Sequence, residues 1–266
     1  MALSPSQRPT REWPLFIFSL AAVAAACVPL LQWSRGPAPA GPEWLTTVHA
    51  TAHRFLVPEQ IACYACFTWA CLILWSRYLE VRRQRRAFHL GLLPTDEGVR
   101  ILPEDGRPLQ RRVDQLTDGR GPFILASMVR LALGKYAVSR SNQDVSETVR
   151  TQAEVDLGRL VSSMSTVHYL AWALPALGFL GTVRGLAGSL GAADLTGETN
   201  FIAIVSSHLG IAFDCTLVAL VLSLVVMFLL HSVQRDEEAL VIDCRQYCLE
   251  HLVNRLYDLE PAAVET

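Results

Sequence analysis

Charge is what this sequence has least of. Only 18% of its 266 residues are Asp, Glu, Lys or Arg, while 51% are hydrophobic, and the mean hydropathy is +0.29. Soluble domains carry about 25% charged residues, so the shortfall excludes a disordered chain and argues strongly against a soluble enzyme. A Gly-rich phosphate loop, a nucleophile elbow and an HExxH motif are all missing. No enzymatic activity and no cofactor are therefore expected. The seven cysteines fit neither a disulfide framework nor a metal centre. Cys63-Tyr64-Ala65-Cys66 has redox-motif spacing but lies in an apolar run with no βαβ pattern around it. Cys244 and Cys248 stand one helical turn apart near His251, with no fourth ligand in reach of the pattern. Both groups read as apolar packing, without a metal.

Long apolar runs are what the chain does have. Four windows suffice to cross a hydrocarbon core of about 30 Å, which takes about 20 helical residues: Pro14–Trp33, Pro58–Ser76 with Glu59 at its mouth, Val167–Leu190 and Leu209–Leu230. They are apolar on nearly every face, where a soluble helix would show a stripe. The expected fold is all-α: a multi-pass transmembrane protein of four spans with long cytoplasmic helical extensions.

Orientation follows from the basic residues. Arg77, Arg82, Arg83, Arg85 and Arg86 follow the second span directly, and Arg77 to Thr166 holds 15 of the chain's 23 Lys and Arg. The stretch from Gly191 to His208 holds none. Both termini are thus expected in the cytoplasm, and the basic run reads as a topology anchor on anionic lipid. No nucleic-acid partner is expected. Arg8 and Arg11 before an apolar run also fit a signal peptide, and Ala24-Ala25-Ala26-Cys27 resembles a lipoprotein cleavage site. The run continues past Cys27, however, and Trp13 and Trp33 bracket it like interfacial anchors, so it reads as a retained membrane helix.

The expected organisation is a cytoplasmic tail (1–13), an N-terminal transmembrane hairpin (14–76), a cytoplasmic loop domain (77–166), a pair of channel helices (167–232) and a cytoplasmic C-terminal helix (233–266). In the loop domain, Val99 to Leu102 followed by Glu104-Asp105-Gly106 reads as a small hairpin. A helix is expected after Gly121-Pro122. Another starts near Ser141-Asn142-Gln143-Asp144 and runs to about residue 190, a rod of roughly 70 Å.

Two charges lie inside apolar spans, Arg184 and Asp214. Each costs roughly 2.5–3.5 kcal/mol at mid-membrane on insertion scales, so each should face protein interior, water or the other. Counting from the outer span ends at 1.5 Å per residue puts Thr182 about 12 Å deep, Asp214 about 8 Å and Thr216 about 11 Å. Arg184 shares this layer. Two readings stand: Arg184 and Asp214 form an intramembrane ion pair while the threonines bond their own backbones, or the layer lines an ion path. Gly178, Gly181 and Gly185 mark a face for close helix packing, and Pro175 a kink.

The segment Ala176-Leu177-Gly178-Phe179-Leu180-Gly181-Thr182-Val183-Arg184-Gly185-Leu186 resembles the glycine–threonine–valine stretch of the MotA/TolQ/ExbB proton-channel family. The long helix before it and Gly210-Ile211-Ala212-Phe213-Asp214-Cys215-Thr216-Leu217 after it fit as well. The resemblance covers about 124 to 255. Two N-terminal spans resemble the MotA plan, whereas TolQ and ExbB have one. The resemblance implies a proton-conducting stator subunit of the bacterial inner membrane. Five copies would surround a one-span MotB-, TolR- or ExbD-like partner whose carboxylate carries the proton, and ion flow would do mechanical work across the envelope, as in protein or nutrient transport. It implies pore threonines at Thr182 and Thr216, with Asp214 beside them on the ion pathway. The chain departs from the family pattern at Arg184, where a bulky apolar residue is common, and lacks the last-helix glutamate of ExbB-like members. No flagellar torque-loop pattern is present. The alternative is a non-conducting membrane scaffold that recruits cytoplasmic partners.

Overall fold

The computed structural model describes residues 12–36, 55–93, 100–117, 123–193 and 201–257, with single positions between 42 and 49. The fold class is as the sequence predicts. The described helices are α1 (Glu12–Arg35), α2 (Pro58–Arg85), α3 (Gly106–Thr117), α4 (Ile124–Ser139), α5 (Asn142–Ser163), α6 (Ser165–Ala193) and α7 (Phe201–His251). Among the described residues there is no strand, only an isolated parallel bridge between Ile101 and Leu256. Among the described residues, four helical stretches are long and apolar enough to cross a membrane.

Two expectations change. Residues 100–106 do not form a hairpin (Val99 lies outside the described residues). Pro103–Asp105 is a 3-10 turn that leads into α3. Asp105 serves as a helix-entry residue, its carboxylate accepting from the Leu102 N–H at 3.1 Å. Leu109, Val113 and Leu116 then repeat at helical spacing against the α4 side of the core. Gly106 fits because a β-carbon there would lie 3.3 Å from the Leu133 carbonyl oxygen. The helix expected from about 144 to 190 is broken at one residue, Met164, whose φ of −92° and ψ of 0° end α5 before α6 begins. Its start is as expected: the Ser141 hydroxyl caps α5 by accepting from the Asp144 N–H at 3.4 Å.

The chain divides into two compact units, one joining Arg77–Met164 to Val233–Thr266 and the other joining Arg11–Ser76 to Ser165–Ser232. The first has a continuous core of α4, α5 and the last third of α7, with Leu133, Tyr136, Val145, Val241 and Cys248 all fully buried. Several polar groups inside it find partners. The Gln84 carbonyl oxygen accepts from the Ile124 N–H at 2.9 Å, closing the start of α4, which has no side-chain cap of its own. The Tyr136 hydroxyl lies 3.1 Å from the Ile101 carbonyl oxygen and 2.9 Å from that of Tyr257. Arg77 reaches the Ser163 carbonyl at 3.3 Å and the buried Glu237 carboxylate at 3.9 Å.

The second unit holds the spans. Ser19 on α1 donates to the Ala65 carbonyl of α2 at 3.3 Å, and the Phe16 and Trp69 rings meet edge-on at 4.7 Å. No more than 22% of any spanning window is buried within the chain. The remaining apolar surface, including Phe179, Leu190, Leu217 and Phe228, needs lipid or other subunits to cover it.

Candidate functional site

Two residue ladders bring α6 and α7 together. A β-carbon on Gly178 would sit 2.6 Å from that of Ala219, one on Gly181 would sit 2.5 Å from the Cys215 sulfur, and one on Gly185 would sit 2.6 Å from the Ala212 β-carbon. Any side chain at these glycines would force the helices apart, so hydrogen alone permits the approach. The contacts also fix the register. Residue numbers fall along α7 as they rise along α6, so Thr182, just past Gly181, is level with Asp214 and Thr216, which flank Cys215.

The ladders decide which flank each side chain takes. Each residue turns about 100° around a helix, and the two helices run antiparallel. Residues one step after the ladder on each, Thr182 after Gly181 and Thr216 after Cys215, therefore fall on the same flank of the pair. Arg184 lies about 200° round α6 from Thr182, and Asp214 about 200° round α7 from Thr216. The two charges share the opposite flank.

On the threonine flank, the Thr182 hydroxyl donates to the Phe179 carbonyl of its own helix at 2.7 Å. The Thr216 hydroxyl stands 3.1 Å from the Gly178 carbonyl across the pair and 3.3 Å from Ala212 on its own helix. With one proton to give, it can satisfy one carbonyl at a time. Ser223 adds a second cross-helix bond, donating to the Ala171 carbonyl at 2.9 Å. Both threonines are half-buried and keep lone pairs free for a proton donor or a cation.

On the other flank, Arg184 pairs with Glu59, in the first turn of α2. The sequence left an Arg184–Asp214 pair as one of two readings; in the folded chain Arg184 bonds Glu59. Among the described residues nothing hydrogen-bonds or pairs with Asp214, which is half-buried. Glu59 is the residue the sequence reading missed. A signal was there, since an arginine near the end of a span extends its head towards that end, and Glu59 stands in the first turn of α2. The exposures are uneven: the Arg184 side chain is 63% exposed and that of Glu59 only 8%. One Glu59 oxygen, Oε2, is buried without a hydrogen-bond partner.

The seven cysteines are free thiols, buried or half-buried. Among the described residues no His, Cys, Asp or Glu cluster could hold a metal ion. In the other unit, burial pushes the Glu237 carboxyl up to about 7 against the lowering effect of Arg77. Burial also raises Asp156, with the Gln152 bond and Arg159 opposing it, and lifts the Cys244 thiol to about 12.

No curated protein and no solved structure matches the chain. A family model does match residues 118–246, a stretch that holds α4 to α6, both contact ladders and most of α7. The model is that of the MotA/TolQ/ExbB proton channel family, which this segment resembles.

Proposed function

We propose that this protein is a proton-conducting stator subunit of a bacterial inner membrane, with both termini in the cytoplasm. Several copies, five by family resemblance, surround a one-span partner of MotB, TolR or ExbD type that carries the proton-binding carboxylate. The threonine flank of the α6–α7 pair lines the path, with Thr182 and Thr216 as the chain's own polar contacts to the moving ion. One observation carries the reading: within the family-matched segment, two threonines from different helices lie level with each other on one flank. Proton flow past them would drive movement of the partner and hence work across the envelope.

The test is proton flux in liposomes holding the full chain and the one-span protein encoded beside it. Thr182→Ala with Thr216→Ala should cut flux while leaving the assembled complex intact by native mass spectrometry. Undiminished flux in the assembled double variant would remove both threonines from the pathway. No flux from the assembled wild type would favour the scaffold.

A further inference from the structure

We infer that Arg82 and Arg86, at the end of α2, clamp the headgroup phosphate of an anionic phospholipid whose acyl chains lie along Trp75 and Leu79. The inference needs α2 to span a membrane and does not depend on conduction. Five arginines follow the second span in sequence, and the folded chain divides them. Arg77 is turned inward, onto the Ser163 carbonyl and the buried Glu237 carboxylate. Arg83 donates to Glu80 at 2.8 Å, and Arg85 reaches Asp243 at 3.4 Å. Arg82 and Arg86 are exposed, and among the described residues neither meets a carboxylate. Arg82 lies over the Tyr78 ring, 4.5 Å from its centre. That stacking narrows its rotamers while its N–H groups keep their capacity for another acceptor.

Helical spacing brings the four residues onto one face. At about 100° per residue, Trp75, Leu79, Arg82 and Arg86 fall within an arc of about 60° on α2 and the 3-10 turn that Arg86 opens. The chemistry of this stripe changes along its length. Trp75 and Leu79 are apolar and exposed, at 62% and 49%, and the two guanidiniums begin one turn further on. An exposed apolar stripe that ends in unpaired arginines is what a helix presents where it leaves hydrocarbon for headgroups. Residues four apart on a helix have β-carbons about 6 Å apart, so both guanidinium forks can reach the free oxygens of one phosphate. A zwitterionic headgroup carries its own cation beside the phosphate, so two arginines favour a lipid of net negative charge.

The experiment titrates the full-length chain in detergent with phosphatidylglycerol and, separately, with phosphatidylcholine, and reads bound lipid by native mass spectrometry. Arg82→Gln with Arg86→Gln should weaken phosphatidylglycerol binding by about 30-fold, roughly fivefold for each arginine, and leave phosphatidylcholine binding unchanged. Arg111→Gln with Arg112→Gln removes the same charge from exposed positions on α3 and should alter neither. Wild type that binds both lipids equally, or equal losses in the two double variants, overturns the clamp and leaves the stator reading standing. Displacement of phosphatidylglycerol by inorganic phosphate would show a free-anion site. Dissociation of an oligomer by the Arg82 and Arg86 changes would show a contact between copies. Either result also overturns the clamp.

Discussion

Gly181 and Cys215 meet so closely that a β-carbon added to the glycine would fall 2.5 Å from the cysteine sulfur. The sulfur sits on a helix packed along its whole facing ridge, so it has little room to withdraw. Gly181→Ala should destabilise the chain by about 1–3 kcal/mol, the usual cost of overpacking. Gly178→Ala should do the same against Ala219. Gly158 on α5 has open space where a β-carbon would go, with nothing within 4 Å, and alanine there should stabilise by up to about 1 kcal/mol. Unfolding of the purified chain in detergent measures all three, and a neutral Gly181→Ala would contradict the packing.

Ser223 separates holding the helices together from serving an ion. Its bond to the Ala171 carbonyl crosses the same pair as Thr216's but lies two helical turns away from it. Ser223→Ala should cost about 0.6 kcal/mol, typical for a hydrogen bond between membrane helices, and leave proton flux unchanged. Thr216→Ala should cost a similar amount of stability and reduce flux. Equal flux losses in the two variants would mean that packing, and not the hydroxyl's place on the path, governs conduction.

Glu237 makes stability depend on pH. Its carboxyl is raised from 4.5 to about 7 in the folded chain, mainly by burial. Between those values the folded state holds more protons than the unfolded one, so stability falls as pH rises from about 4.5 to 7 and is level above that. The full change is of order 3 kcal/mol. Melting temperatures of wild type and Glu237→Gln, compared from pH 5 to 8, should converge at the acid end and separate towards neutrality, with the variant the more stable. Parallel curves would show that Glu237 titrates normally.

Tyr136 ties together three segments far apart in sequence. Tyr136→Phe leaves the Ile101 and Tyr257 carbonyls with one fewer donor and should cost about 1–2 kcal/mol. The loss is local. Hydrogen exchange should quicken first at the Ile101 and Tyr257 amides, which bond the Arg255 and Ile101 carbonyls at 2.9 and 3.1 Å. Protection unchanged there would show that the hydroxyl carries no load.

Much of this architecture can be read from the chain because membrane spans announce themselves by length and by the lack of charge. The ladder glycines are legible for a related reason, since small residues three or four apart have one common use in a span. The start of α5 at Ser141 follows from local capping chemistry. What cannot be read depends on distant partners. Glu59 and Arg184 are 125 residues apart, and no spacing rule joins them. The turn at Pro103–Asp105 misleads because Asp-Gly suits a hairpin and a helix entry equally, and the choice lies with Leu109, Val113 and Leu116 finding a core to cover. Met164 carries no breaker signature. Its interruption reflects the packing of a fully buried side chain.

The Tyr136 knot has a bearing on how the chain is made. Ile101 and Tyr136 leave the ribosome well before Tyr257, and α6 and most of α7 are synthesised in between. The core around Tyr136 also needs Leu240, Val241, Cys244 and Cys248. Until those emerge, α4 and α5 must wait with their apolar faces open, the state in which nascent chains are prone to misassociation. Translocation of the final span thus becomes the step that permits this unit to close, and a chain stalled or truncated before residue 240 would be delivered to quality control with its membrane helices threaded and its other core unsealed.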